Sequence, residues 1–329
     1  MHHQLAKEEK KAIEWLTPID YESQQSDFLK RRYPGTGSWL LESAEYRKWI
    51  QSPGTGMTLF CPGIPGAGKT ILTSIVIDDL WQRYRMDSET CIAYIYFNFK
   101  HQLTEEEFFS YLLKKLSIAR PSLPEGVRLL YERHKMGRTR PTTKEILAVL
   151  RCVMPLYHKL FIAVDALDEC QSYDDGGCRG RILDRLFQLQ AEFGVNIFAT
   201  SRLISDISNR FERLGSTVLN ISAADEDIQV DLNEQVSRSE RLLLLNSYRE
   251  EIISEITKTV DGMFLFAQLH FRNLCTKKSL NKPLGTLKTP HRLRSLLQSL
   301  RKGDAKSRRP RRRLTRTSAG IRTHRRYIG

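Results

Sequence analysis

The chain lacks any long apolar run. No stretch of about 18 or more apolar residues occurs among its 329 residues, which excludes a membrane-spanning helix. The opening MHHQLAKEEKKAIEWL has no apolar core and no small-residue cleavage site, so no secretory signal is expected. Cysteine is sparse and unpaired in pattern. The six, at 61, 91, 152, 170, 178 and 275, include no CxxC pair, and no histidine or cysteine stands near them at zinc spacing, which excludes a zinc ribbon. Cys61, Cys91 and Cys152 lie inside apolar runs, where a thiol behaves as a small hydrophobe. Reduced, buried thiols in an intracellular, cytoplasmic protein are the expectation. There is no internal repeat.

Acid is nearly absent from one end. Residues 301–329 hold twelve Lys or Arg against a single Asp, while the whole chain carries +14. The body is therefore almost balanced, and the basicity belongs to the last segment. That segment has only Leu314, Ile321 and Ile328 as aliphatic anchors. It cannot bury enough surface to offset its ordering entropy and is expected to be disordered. A run such as RRPRRR could contact phosphates non-specifically. It has no interleaved aromatics for base stacking.

What is present alternates. HQLAKEEKKAIEWL has helical spacing and is bounded by Pro18. SPGTG, 52–56, is a turn cluster. MTLFC reads as a first strand, and a helix follows from Lys69 with Leu72, Ile75, Val76 and Leu80 on one face. CIAYIYFNF, 91–99, reads as a second strand. LTEEEFFSYLLKKL opens with Thr104 and Glu107 at capping-box spacing, and TKEILAVLRCVM is a helix stopped by Pro155. LFIAVDALDE, 160–169, is apolar on both faces until its acids, as in a strand covered on both sides. VNIFATSR, 195–202, and STVLNIS, 216–222, are further strands. Strands alternating with helices predict an α/β fold with a parallel sheet. After about Asp225 the strand signals stop. LLLLNSYREEIISEITKTV, GMFLFAQLHFRNL and RLRSLLQSL (292–300) read as helices. The expected division is 1–33, an N-terminal helix and linker; 34–224, the α/β domain; 225–300, a helical domain; and 301–329, the basic tail.

The first strand runs into Gly63-Ile64-Pro65-Gly66-Ala67-Gly68-Lys69-Thr70, a full match to GxxxxGK[ST]. Glycines let backbone N–H groups turn inward and approach phosphate oxygens, and the helix N-terminus favours an anion. Lys69 would reach the β- and γ-phosphates, and the Thr70 hydroxyl would bind Mg²⁺. About 95 residues later, Asp165 ends the acidic strand, where it could hold the magnesium shell opposite Thr70. Glu169 is the preferred residue to orient an attacking water, with Asp168 as a second polar partner. Arg202 ends the next strand, in the crevice where parallel sheets bind ligands. It could sense a γ-phosphate, with Thr200 or Ser201 bonding the water.

GIPGAGKT, LFIAVDALDE and FATSR together resemble a NACHT-type NTPase of the STAND class (signal-transduction ATPases with numerous domains). Ala166 after Asp165, followed by Asp168-Glu169, is similar to the NACHT form of the acidic motif. GTGSWLLESAEYRKWI and CPGIPGAGKT resemble more closely the nephrocystin 3-like N-terminal module, common in fungal ankyrin- and WD-repeat proteins of the vegetative-incompatibility type. VDGMFLFAQLHFRNL is similar to the helical segment that follows the sensor strand in that group. The resemblance implies a P-loop NTPase sheet of order 5-1-4-3-2 with helices on both faces, then a small helical domain. It implies ATP or GTP with Mg²⁺ and a nucleotide-controlled switch. It also places Thr36, Gly37 and Trp39 near the nucleotide base, although a core position is the role more expected of Trp39. The likeness stops near Leu300, where a truncated or mis-spliced gene product is expected.

Three functions follow as expectations. The first is a nucleotide-switched signalling module with weak hydrolysis, partnered by itself or by other signalling proteins. The second is a non-catalytic, nucleotide-stabilised interaction scaffold. The third is binding of nucleic acid or another acidic surface through the tail.

Overall fold

The computed structural model describes residues 7–51, 56–170, 177–237, 249–260 and 262–276. By contacts the chain divides into two compact units, Met1–Cys275 and Thr276–Gly329, and the sheet lies in the first. RLRSLLQSL, the basic tail, most of SPGTG and the LLLLN run fall outside the described residues.

Five parallel strands form the centre: β1 (Thr58–Pro62), β2 (Thr90–Tyr96), β3 (Lys159–Asp165), β4 (Asn196–Ser201) and β5 (Thr217–Val218). Their spatial order is β2-β3-β4-β1-β5, which is the expected 5-1-4-3-2 read from the other edge. All five residues of β1 and all six of β4 are buried. That burial is why they read as unbroken apolar runs rather than as alternating ones. The register sets Pro62 beside Ser201 and Val164 beside Ala199, so the C-terminal ends of β1, β4 and β3 share one edge. The fifth strand is shorter than STVLNIS suggested. Only Thr217 and Val218 pair with β1, and Ile221 adds an isolated bridge to Gly63.

Helices flank the sheet: α1 (Lys7–Leu16), α2 (Glu22–Arg31), α3 (Ser38–Glu42), α4 (Ala44–Ile50), α5 (Lys69–Tyr84), α6 (Glu105–Ile118), α7 (Glu125–Gly137), α8 (Thr143–Val153), α9 (Cys178–Phe193) and α10 (Ser205–Arg213). Beyond the sheet come α11 (Asp225–Ser237), α12 (Arg249–Val260) and α13 (Phe264–Thr276). Both α6 and α8 begin with complete capping boxes, Thr104 with Glu107 and Thr142 with Glu145. Each box satisfies orphan amides of the first turn.

The segment before residue 34 contributes more than one helix. In α2, Gln25 is buried, donates to the Ser74 carbonyl of α5 at 2.9 Å and accepts from the Tyr96 hydroxyl. Trp49 of α4 is fully buried against Phe161 and Phe198, and its indole N–H donates to Met57 O at 3.1 Å. A buried aromatic with its polar atom satisfied is the strongest kind of core anchor.

The thiols depart from expectation at one place. Cys61, Cys91 and Cys170 are buried, Cys178 is half-buried, and Cys152 is exposed. Its run LAVLRCVM is helical, and Ile146, Leu147, Leu150 and Val153 hold the buried face. The 100° turn per residue sends Cys152 to the opposite side. For Cys275 only the backbone is described.

Candidate functional site

The loop after β1 is built by backbone geometry. Gly66 and Gly68 adopt φ of +78° and +87°, a region that glycine enters without a steric cost. Gly68 is the residue that opens α5, whose helical span starts at Lys69, so the α5 N-terminus faces the loop with its partial positive charge. The Lys69 ammonium donates to the carbonyls of Gly63 and Ile64, both at 2.9 Å. It therefore lies across the loop it belongs to. Burial lowers its pKa, opposed first by the Asp168 carboxylate and then by Asp165. Gly63, Pro65 and Ala67 complete the turn, and Gly63 N–H donates to Ser201 O at 3.0 Å, which anchors the loop to the end of β4.

Asp165 ends β3 and is 2% exposed. Three hydroxyls donate to it: Thr70 to Oδ2 at 2.8 Å, Thr73 to Oδ1 at 2.9 Å and Thr200 to Oδ1 at 2.6 Å. Burial raises its pKa, against the pull of these hydroxyls and of Lys69. The next residue, Ala166, has φ +58°, a left-handed conformation that is costly for larger or β-branched side chains. Its N–H donates to Thr200 Oγ at 3.0 Å. The chain then closes a 3₁₀ turn over Leu167–Glu169.

That turn presents the two acids differently. The Asp168 side chain is 5% exposed; it pairs with the Arg202 guanidinium at 2.8 Å and accepts from the Arg202 N–H at 3.0 Å. Glu169 accepts from the Phe99 N–H at 3.1 Å, beyond the end of β2. Asp168 thus belongs to the β3–β4 crevice beside Lys69, whereas Glu169 leans towards β2. The two hydroxyls expected near a water, of Thr200 and Ser201, both donate within the protein. Thr200 is fully buried and gives its hydroxyl hydrogen to Asp165, and Ser201 gives its own to Arg202 O at 2.8 Å. The strand's alternation turns Thr200 towards the carboxylate, where its hydrogen lowers the cost of a buried charge.

The residues N-terminal to the sheet approach the same end of α5. A Cβ at Gly37 would stand 2.6 Å from Ile75 Cδ1 and 2.9 Å from Leu72 Cδ2. Gly37 N–H donates to Asp227 Oδ2 at 2.9 Å. Trp39 is partly buried against the core. Thr36 is buried, and its hydroxyl donates to Tyr33 O at 2.8 Å.

The helical segment meets the loop directly. Leu265 N–H faces Gly66 O at 3.4 Å. A Cβ at Gly66 would lie 2.7 Å from Leu265 Cβ, and one at Gly68 would lie 3.3 Å from the Phe264 ring. Ala223 N–H donates to Gly262 O at 3.0 Å, fastening the turn before α13 to the chain leaving the sheet.

Sequence reasoning missed Thr73, Asp227, Phe264 and Leu265. Thr73 had a signal, since a hydroxyl three residues after Thr70 lies on the same helical face. The other three act across long separations and left no local trace.

A glycine-lysine loop opening a helix, with an Asp-ended strand one place beyond the loop strand's neighbour, defines the fold as that of a nucleotide-binding P-loop NTPase. The model of the family described as nephrocystin 3, N-terminal, matches residues 35–202. That is just over half of the chain, and the chain belongs to this family. A search of curated proteins found no match. Among solved structures, the chain is similar to Cdc6p from Pyrobaculum aerophilum at 17% identity, covering 77% of this chain and 63% of that one, with a TM-score of 0.47. It is similar to the Aeropyrum pernix ORC2 protein at 12% identity, 78% and 65% coverage and a TM-score of 0.48. It is also similar to DnaA from Aquifex aeolicus at 13% identity, 80% and 68% coverage and a TM-score of 0.42. The chain thus spans a little under two thirds of the length of the first of these. Among the described residues, no helix is long and apolar enough to cross a membrane.

Proposed function

We propose that this chain is a nucleotide-controlled switch module of the STAND type, carrying a NACHT-like domain over about 34–224 and a helical domain over about 225–300. In this reading Gly63, Pro65, Gly66, Ala67, Gly68, Lys69 and Thr70 hold the triphosphate of ATP or GTP. Thr36, Gly37 and Trp39 lie towards the base. Arg202 senses the γ-phosphate. Asp168 or Glu169 orients a water, giving slow hydrolysis. The setting is the cytoplasm, in keeping with unpaired cysteines, and the partners are other copies or other signalling proteins. The basic tail is left a non-specific contact with acidic surfaces at most.

The residues fit Mg²⁺. Thr70 Oγ and Asp165 Oδ2 are hard oxygen donors 2.8 Å apart beside the loop. Magnesium bound with phosphates needs only one or two protein oxygens, the rest being water and phosphate. When bound, the ion would neutralise phosphate charge. The side chains of Thr70 and Asp165 would orient it, and the Lys69 ammonium would exchange two loop carbonyls for phosphate oxygens.

The contact between α13 and the loop carries the switch reading. Leu265 and Phe264 lie against Gly66 and Gly68, the two residues whose amides would meet phosphate. A nucleotide entering there must share the space with α13, so its affinity depends on where α13 sits. Unequal affinity for two arrangements is what a ligand needs in order to shift between them.

One observation favours the scaffold alternative. Both candidate acids already accept bonds, Asp168 from Arg202 and one oxygen of Glu169 from the Phe99 amide, which leaves each fewer lone pairs with which to orient a water.

Binding of a fluorescent ATP or GTP analogue tests the first step. Lys69→Ala is expected to weaken it by about a hundredfold or more, from the loss of charge-assisted bonds of about 1.5–3 kcal/mol each. Unchanged affinity would overturn the site. Sedimentation with and without nucleotide tests the switch, which requires self-association to respond. Phosphate release separates the slow NTPase from the scaffold.

A further inference from the structure

The Asp165 carboxylate is gripped from two elements. Thr70 and Thr73 come from the start of α5, three residues apart and so on one face, and Thr200 comes from β4. Their bonds divide unequally between the two oxygens. Among the described residues, Oδ2 accepts from Thr70 at 2.8 Å, whereas Oδ1 accepts from both Thr73 at 2.9 Å and Thr200 at 2.6 Å. The Thr200 bond is the firmer of the pair on Oδ1. Its Oγ accepts from the Ala166 N–H at 3.0 Å, which leaves its hydrogen directed at Asp165. Thr73 shares its hydrogen with the Lys69 carbonyl at 3.0 Å. Thr73 is 1% exposed and Thr200 0%, so water does not compete for either bond. Given that Mg²⁺ binds at Thr70 and Asp165, the reading on which this rests, we infer that Thr73 and Thr200 are positioning residues that select Mg²⁺ over Ca²⁺: they keep Oδ1 occupied, so that Asp165 offers a cation the single oxygen Oδ2.

The selection follows from what each cation accepts. The last torsion of an aspartate side chain is broad, so an untethered Asp165 could turn both oxygens towards a cation. Ca²⁺ accommodates that, because it takes about six to eight oxygens and one carboxylate can supply two of them. Mg²⁺ demands near-octahedral geometry and keeps several waters, so it gains from one oxygen held in place and loses when the carboxylate swings. Outer partners that fix the orientation of a metal-binding side chain are worth about 10–100-fold in metal affinity. Thr73 and Thr200 supply that fixity from buried positions on a helix and a strand, the most rigid places the fold offers.

Equilibrium binding of whichever fluorescent analogue the full chain takes, of ATP or of GTP, is titrated with Mg²⁺ and separately with Ca²⁺. In Thr200→Val the apparent Mg²⁺ affinity is expected to fall by about 10–100-fold, and the Ca²⁺ affinity by a smaller factor, so that the preference for Mg²⁺ narrows. Thr73→Val should move the same ratio in the same direction. It leaves the Ala166 amide its acceptor, and so carries the test if Thr200→Val does not fold. Thr73→Ser and Thr200→Ser keep the hydroxyls and should restore the wild-type ratio. Equal losses for the two cations would mark Thr73 and Thr200 as packing residues and overturn the inference, as would an unchanged Mg²⁺ affinity; in either case the nucleotide site itself would stand. A wild type whose affinity is the same with and without either cation removes the metal site and the selection with it. A wild type that binds neither analogue overturns the nucleotide reading from which both descend.

Discussion

Asp165 is a carboxylate nearly out of water, held by three hydroxyl hydrogens. Its folded pKa is raised, chiefly by burial. For an acid shifted upwards, the folded state favours the protonated form. Its contribution to stability is therefore greatest at low pH and declines as pH rises through the folded value. Asp165→Asn removes the buried charge and keeps a side chain of the same shape. It is expected to raise stability at neutral pH by about 1 kcal/mol, with the gain shrinking on acidification, while Mg²⁺-dependent nucleotide binding falls. Thermal melts at several pH values, beside analogue binding with and without Mg²⁺, check both parts; a variant less stable than wild type at pH 7 would contradict the sign. Asp165 and Lys69 could be picked from the sequence because their motifs are local. Thr200 could be located but not understood, since its bond to Asp165 crosses from one strand to another.

Among elements, the starts of α6 and α8 were legible, because a cap is written in four consecutive residues, whereas α2, α3, α4, α7, α9, α10 and α11 were not read from the sequence. Thr142 and Glu145 exchange bonds: Thr142 N–H donates to Glu145 Oε2 at 2.9 Å, and Glu145 N–H donates to Thr142 Oγ at 3.4 Å. The Thr142 amide, then its hydroxyl, hold the Glu145 pKa down to about 2, with His134 adding to the effect. A lowered acid stabilises the fold above its unfolded value and loses that stabilisation as pH falls towards the folded one. Thr142→Ala should cost about 1 kcal/mol at neutral pH, and its deficit should narrow between about pH 4.5 and 2. Urea unfolding along that range measures it. Strand lengths were less legible. STVLNIS has the composition of a seven-residue strand, yet only two residues pair. An edge strand ends where its single neighbour turns away, and no property of its own residues records that point.

For the whole molecule, the informative contacts run from the two ends of the described chain towards α5. Gly37 N–H is buried on Asp227, and Phe264 and Leu265 rest on the loop. Asp227→Ala leaves that amide without an acceptor, at a cost of about 1–3 kcal/mol. A fall in unfolding free energy of that size is expected, measured by urea titration. If α11 and α13 form the moving part, nucleotide affinity should change in the same variant. A loss of stability with unaltered affinity would separate Asp227 from the switch.

The sequence by itself determined the class of fold, the phosphate loop, the acid-ended strand and the starts of α5, α6 and α8. These are set by neighbours within a turn or two, through periodicity, capping and the freedom of particular glycines. Only the tertiary structure decided which hydroxyls hold Asp165, how Asp168 and Glu169 part company, and that α13 lies on the loop. Those outcomes depend on strands and helices brought together across tens to hundreds of residues by burial, which is non-directional and leaves no mark in the local order of the chain.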